Sequence, residues 1–467
     1  MGNRPIERYL ALYLPWLFAI LFKWDPLISY FIAWLGSFLI FYLTLSGWVK
    51  PIPADRPLGE QLMRPLFLMQ IIFAGFMCCT TIFYLLNTLG YNNFLKIDNY
   101  YWIIDNDRLK LTAQCQRYYC LGHAAFVTGI LVSMNYSKER RFYAQKNNLA
   151  DLLLKVAIAC VPVSVLFTKI SGLAQFSYQF SSLSFIAGTL ALAYAIPAKK
   201  IFNTLISLGL YALNFYQALT SGFKEPIIIS IMVLGIFLYP NYKKLVVSIF
   251  VPLLLLSFFI LPTYVGNFRQ QAWSDDASAD AASKTAIEST LNEEVSDDTN
   301  WNFLVYRLSE VDMFETFVES TPANIDFYGF TLLKQSFIAL VPRVFWPGKP
   351  ITEDMVMERV YDAGVVYRAS AVSAKPAFIV DGYLSGGVKG IFISLFLYGA
   401  IAQLISNQAE HLFGGYILGS ALMFSGLFQI LWRGLSFEFL INTVFWAYIT
   451  MLLLHWVFVR LKILYRV

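Results

Sequence analysis

Charge is scarce in this sequence: Asp, Glu, Lys and Arg make up 14% of its 467 residues, while 58% are hydrophobic. A soluble domain of ordinary composition carries about a quarter charged residues, so this balance excludes one. The net charge of +5 is split into loop-sized clusters, which leaves no basic face for nucleic acid. Cysteine is also sparse. Cys78, Cys79, Cys115, Cys120 and Cys160 are odd in number, lie in or beside apolar runs and lack metal-ligand spacing, so neither a disulfide framework nor a zinc site is expected. Histidine occurs three times. His123 and His455 fall inside apolar runs, where a packed ring is the plainer reading, and His411 begins another.

What the chain does have is long apolar runs. Stretches near the ~20 residues that cross a bilayer recur from end to end. They predict helices near 9–23, 27–48, 65–90, 115–136, 149–168, 181–196, 201–219, 226–240, 245–264, 385–405, 412–431 and 437–459. The shortest, 9–23 and 226–240, are candidates for tilted, half-length or re-entrant segments. No small-residue cleavage site follows the first run, which reads as a retained helix. Met-Gly-Asn-Arg-Pro-Ile lacks the Ser or Thr that myristoylation needs. The expected fold is thus an all-α polytopic membrane protein of about twelve transmembrane helices. It divides into an N-terminal bundle (1–264), a large extracytoplasmic loop (265–384) and C-terminal helices (385–467).

The basic residues set an orientation. An N-inside start places Arg4 and Arg8, Lys50, Arg56 and Arg64, Lys138, Arg140, Arg141 and Lys146, Lys199 and Lys200, and Lys243 and Lys244 in the cytoplasm. The tail residues Arg460, Lys462 and Arg466 join them, as the positive-inside rule asks. Both ends are then cytoplasmic and residues 265–384 lie outside. Within that loop, 274–300 is rich in Asp, Glu, Ser and Ala and is expected to stay mobile and solvated. The following 301–340 has helical periodicity, and 341–350 is dense in Pro, Arg, Trp and Lys.

Cytoplasmic cations follow from topology; outer ones do not. They are Lys224, Arg269, Arg307, Arg343, Lys349 and Arg433. Guanidinium forks suit phosphate oxygens, and lysine adds a point charge, so the set fits a pyrophosphate at the membrane surface. The plainer alternative for each is anchoring to lipid headgroups or pairing with a nearby acid. Arg343 stands apart, because Pro342, Pro347 and Pro350 stiffen its loop while Phe345 and Trp346 can seat it at the interface. A stiff, anchored guanidinium is preorganised for charge stabilisation.

The stretch Val341-Pro342-Arg343-Val344-Phe345-Trp346-Pro347-Gly348-Lys349-Pro350 resembles the Pro-Arg-x-x-Trp-Pro-x-Lys-Pro segment of Wzy-like oligosaccharide repeat-unit (O-antigen) polymerases. Ser221-Gly222-Phe223-Lys224 is similar to their Ser/Thr-Gly-x-Arg/Lys turn. Arg307-Leu308-Ser309 and Gly386-Gly387-Val388-Lys389-Gly390 also fit. The likeness is confined mainly to residues 221–390. It implies a GT-C-like glycosyltransferase in the bacterial cytoplasmic (inner) membrane, joining polyprenyl-pyrophosphate-linked oligosaccharides on the outer face. No cofactor is implied, and a chain-length regulator protein is a possible partner.

In such a transfer, a sugar hydroxyl attacks and the lipid pyrophosphate leaves. Arg and Lys can stabilise the leaving charge without a metal. Arg343, Lys349, Arg307 and Lys224 are expected there, with Arg269 and Arg433 in support. Asp381 is the leading outer carboxylate for a general base, ahead of Glu438 and Asp312; its alternative is a helix N-terminal charge. Asp105-Asn106-Asp107 forms an Asp-x-Asp that could hold a metal or simply pair with Arg108 and Lys110. Tyr100, Tyr101 and Trp102 beside it read as interface anchors, with sugar stacking as the alternative. A flippase is the first alternative function, but a loop of some 120 residues fits it poorly. An O-antigen ligase is the second, though the outer-loop histidine expected there is missing from 265–384. A multi-spanning acyltransferase would want a membrane histidine with Asn or Asp partners, and no such set is present.

Overall fold

The computed structural model describes residues 6–97, 103–136, 142–144, 149–170, 173, 176–274, 278–292, 297–370 and 372–466. Arg4, Tyr100, Tyr101, Trp102, Lys138, Arg140, Arg141 and Lys146, and 275–277 and 293–296 of the acidic segment, lie outside the described residues. Among the described residues the chain is mainly helical, with two short antiparallel strand pairs. Helices occur at each of the apolar runs. Among the described residues, five are long and apolar enough to cross a membrane: Pro26–Leu45, Pro65–Thr88, Leu149–Lys169, Phe378–Leu412 and Phe437–Arg460. The bent pair Lys243–Ser257 and Ile260–Ala272 makes a sixth if counted as one span.

Glycine decides how closely the central helices approach. Helix Asn106–Ser133 packs on Phe378–Leu412 at Gly129 and Gly399. A Cβ on Gly129 would lie 2.1 Å from the Phe396 carbonyl oxygen, and one on Gly399 equally close to that of Phe126. Backbones in such contact need small residues on both sides.

The run expected to begin at 385 begins at 378 and is broken. Gly387 takes φ +60°, and the chain reverses at Gly386 and Gly387, so that 378–385 folds back along 388–412. Phe378 stacks on Tyr398 with ring centroids 4.7 Å apart. A Cβ on Gly390 would lie 2.1 Å from the Gly382 carbonyl oxygen; in a continuous helix those residues would be roughly 12 Å apart. Only residues without a Cβ allow so tight a helical hairpin.

Cations expected on the cytoplasmic side hold helix ends together. Arg64 forks onto Asp55 (2.8 and 2.8 Å) and reaches Glu410 at the far end of Phe378–Leu412 (2.9 and 3.0 Å). Lys50 donates to the Leu131 and Met134 carbonyls, closing the end of Asn106–Ser133. Each spends its charge on carboxylates or carbonyls that a helix end leaves open.

The acidic segment departs from expectation. Residues Ala279–Asn292 form a helix, and Ala282 and Ala286 are buried. They pack with Ala218, Ile227, Ile231, Leu261, Tyr264, Val265 and Phe268 into a small core separate from the main one. Scarce aromatics suggested a solvated stretch, but alanine is the best helix former and lets a neighbouring helix come near.

Candidate functional site

Three of the sequence-nominated cations meet beside that small core. Lys224 opens helix Lys224–Leu238, after the turn in which Gly222 takes φ +71°. Arg269 sits on the end of Val251–Ser274 and donates from Nε to the Gly222 carbonyl at 2.8 Å. Arg307 directly follows helix Asp297–Tyr306. That helix is fixed against Thr81–Thr88 by Trp301, whose Nε1 donates to Asn87 Oδ1 at 3.1 Å, and by Asn87 Nδ2 donating to the Tyr306 hydroxyl at 3.4 Å. Three distant parts of the chain thus bring like charges together.

The electrostatics register this convergence. Burial, then Arg269, then Arg307 lower the Lys224 ammonium to about 8. Burial and Arg307 likewise lower Arg269. The Lys224 ammonium stands 3.8 Å from the centre of the Phe303 ring, and Arg269 lies over Phe223. Among the described residues, neither Lys224 nor Arg307 forms a salt bridge. Arg433 is placed nearby through Glu225: its Nε lies 2.5 Å from Glu225 Oε1, on the residue after Lys224.

A carboxylate that sequence reasoning missed faces this group. Glu310, three residues after Arg307, adopts the left-handed conformation (φ 55°, ψ 21°) just before helix Val311–Ser320. A non-glycine residue held there is strained, and such strain concentrates at functional sites. Enclosure raises its carboxyl to about 7; Arg307 pulls the other way, and Glu225 adds to the rise. Strain is invisible in sequence. The only available sign was position, a carboxylate within one turn of Arg307.

Arg343 and Lys349 do something else. Lys349 is buried, and its ammonium donates to the Ala339 and Val341 carbonyls at 2.9 Å each, closing the end of helix Thr331–Leu340. Arg343 donates to the Lys349 and Pro350 carbonyls at 3.0 and 3.4 Å. The Pro-Arg-Trp-Pro-Lys-Pro block is therefore a turn whose two cations hold its own backbone. Three prolines leave few amides to bind the carbonyls, so the side chains do; Lys349, expected at the pyrophosphate, is buried in this role, while Arg343 stays exposed.

Asp381 differs too. Expected as an outer carboxylate, it is fully buried, accepts from Arg359 Nη2 at 3.0 Å and takes the Phe437 amide at 2.8 Å. Arg359, which sequence reasoning also missed, forks onto Glu438 at 2.8 and 2.9 Å. The three join helices Thr352–Asp362, Phe378–Leu412 and Phe437–Arg460. Asp381 thus binds the first amide of a different helix, Phe437–Arg460, as a cap from outside it.

Asp312, the third carboxylate nominated, accepts from Arg108 Nη2 at 2.6 Å and from the Tyr84 hydroxyl at 3.0 Å. Glu315 beside it accepts from Tyr84 at 2.9 Å, and burial raises its carboxyl to about 7. The Asp-x-Asp is occupied as well. Asp105 caps helix Asn106–Ser133 through the Asp107 and Arg108 amides, and Asp107 pairs with Lys110 at 2.8 Å. Among the described residues no group of His, Cys, Asp or Glu is placed to hold a metal ion. An open hollow of 290 Å³ beside helix Thr352–Asp362 is lined by Glu353, Asp354 and Glu358 and by no cation.

A family model described as a domain of unknown function, DUF8712, matches residues 14–466. No curated protein and no solved structure matches the chain.

Proposed function

The chain belongs to the DUF8712 family, a domain of unknown function, and from its residues we propose that it is a membrane glycosyltransferase that polymerises surface polysaccharide. It transfers a glycan from a polyprenyl-pyrophosphate donor to a lipid-linked repeat unit on the outer face of a bacterial cytoplasmic membrane that it crosses about twelve times. The observation that carries the reading is the convergence of Lys224, Arg269 and Arg307, which the positive-inside rule does not require. Lys224 and Arg307, which form no salt bridge among the described residues, raise each other's free energy by their proximity, a cost that a bound anion relieves. A pyrophosphate suits the group best, since it offers several oxygens to cations arriving from three directions.

The roles follow. Lys224, Arg269 and Arg307 hold the pyrophosphate and stabilise the charge that grows as it leaves, with Arg433 steadied at the edge by Glu225. Glu310 receives the proton of the attacking sugar hydroxyl, for which a carboxyl near 7 is well matched. Arg343 and Lys349 shape the turn beyond helix Thr331–Leu340, and Asp381 holds helices in register. The reaction needs no metal in this scheme.

The test is reconstitution. Purified protein in liposomes, given a synthetic polyprenyl-pyrophosphate repeat unit, should yield a ladder of glycan lengths. Arg307→Ala and Lys224→Ala should lose at least about 100-fold in rate, the scale of removing one charge-stabilising donor. Movement of the intact unit across the bilayer without elongation would instead make the protein a flippase. Extension only when a lipid A core is supplied would make it a ligase.

A further inference from the structure

Residues 330–351 belong by sequence to the extracytoplasmic loop, yet large apolar side chains dominate their outer surface, with Lys334 and Arg343 the exposed charges among them. Helix Thr331–Leu340 buries Leu332, Ser336 and Ala339, while Phe330 (85% exposed), Leu333 and Phe337 face outward. The turn that follows continues the pattern with Val344, Phe345 (79% exposed), Trp346 and Ile351. So many large apolar side chains together exceed the isolated ones normal on a surface in water.

Two further observations say what covers them. The first is continuity with a membrane-crossing helix. Trp446 donates from Nε1 to the Leu340 carbonyl at 3.0 Å, which sets the end of Thr331–Leu340 nine residues, roughly 13 Å, along the span Phe437–Arg460. The outward face of that span carries exposed Phe445, Ile449, Leu453 and Trp456, so both of the packed helices present large apolar side chains outward. The second is how the turn treats its polar groups. Lys349 satisfies Ala339 and Val341, while Arg343 satisfies Lys349 and Pro350. Carbonyls in a water-facing turn need no such partners, whereas irregular backbone at membrane depth must find them within the protein.

We propose that helix Thr331–Leu340 and the turn 341–350 form a re-entrant element lying in the outer leaflet, with Phe330, Phe337, Phe345 and Trp346 against lipid acyl chains. The element dips beside Phe437–Arg460 and returns through Thr352–Asp362. Lys349 is buried on the turn's own carbonyls, while Arg343, which donates to two more and stays exposed, snorkels toward the headgroups. The proposal does not rest on the polymerase reading and stands or falls separately.

Spin-label accessibility tests it. Phe337→Cys, Phe345→Cys and, as an aqueous control, Tyr367→Cys (87% exposed) are introduced singly into the full chain. Each is labelled with a nitroxide and reconstituted in phosphatidylethanolamine–phosphatidylglycerol liposomes, with the signal from unsubstituted protein subtracted for the five native cysteines. The labels at 337 and 345 should be relaxed by oxygen and lose their response to a water-soluble nickel chelate; the label at 367 should show the reverse. Nickel access at 337 and 345 matching that at 367 would overturn the proposal, placing the element in water. Protection from both reagents would overturn it equally, since a second protein would then cover the face. All three side chains point outward, so the substitutions leave the packing intact.

Discussion

Replacing Arg359 by methionine should be among the most damaging single changes outside the cation group. Arg359 is 1% exposed, and the carboxylates of Asp381 and Glu438 are at 0%. Its Nη1 donates to Glu438 Oε1 at 2.8 Å, and its Nη2 to Glu438 Oε2 at 2.9 Å and Asp381 Oδ2 at 3.0 Å. Methionine fills much of the same volume but leaves two acids buried without a cation. Breaking a buried ion pair from one side costs about 3–5 kcal/mol. At about 2 cal/mol/K of unfolding entropy per residue, a chain of 467 residues converts that into a fall in Tm of about 3–5 °C. Intrinsic tryptophan fluorescence during heating in detergent measures it. The triple variant Arg359→Met, Asp381→Asn, Glu438→Gln should recover most of the loss, because it removes the stranded charges while the amide oxygen introduced at position 381 can still accept from the Phe437 N–H. A single variant within about 1 °C of wild type, or a triple no better than the single, would refute the electrostatic account.

Other expectations are simpler to state. Rate against pH should be bell-shaped. Glu310 must be ionised to accept a proton, so activity rises through about 7, and Lys224 must be charged, so it falls above about 8; Lys224→Arg should extend the alkaline limb and Glu310→Gln should abolish the acid one. The same shifts bear on stability with opposite slopes. Glu310, raised on folding, stabilises the fold below about 4.5 and loses that contribution as pH rises through about 7. Lys224, lowered on folding, adds stability as pH rises from about 8 toward its unfolded value. Lys349→Met should leave the Ala339 and Val341 carbonyls unbound and cost about 1.5–3 kcal/mol, read as a lower Tm; an unchanged Tm would deny the cap. Gly390→Ala puts a methyl 2.1 Å from the Gly382 oxygen and should cost at least about 1–3 kcal/mol, whereas Gly209→Ala, with open space around it, should be tolerated.

Much was legible in the residues themselves. Apolar runs locate helices because each carries its own signal, a local excess of hydrophobic side chains over a bilayer's length. The positive-inside rule singled out six cations, Lys224, Arg269, Arg307, Arg343, Lys349 and Arg433, as unexplained by topology, and three of them, Lys224, Arg269 and Arg307, meet. The hairpin at Gly386 and Gly387 was marked by glycines but not by direction, since a reversal and a helix start look alike in one dimension.

What sequence alone determined is therefore type and position: an apolar, helical chain, its segments, and a short list of charges worth asking about. Which charges are free was decided by tertiary structure. Arg343 and Lys349 are spent on carbonyls beside them, Asp381 on Arg359 from 22 residues away, and Arg433 on Glu225 from across the chain. Ion pairing depends on distances of a few ångströms between groups far apart in sequence. Glu310 owes its candidacy to a backbone dihedral and to enclosure, both of which exist only once the helices have packed.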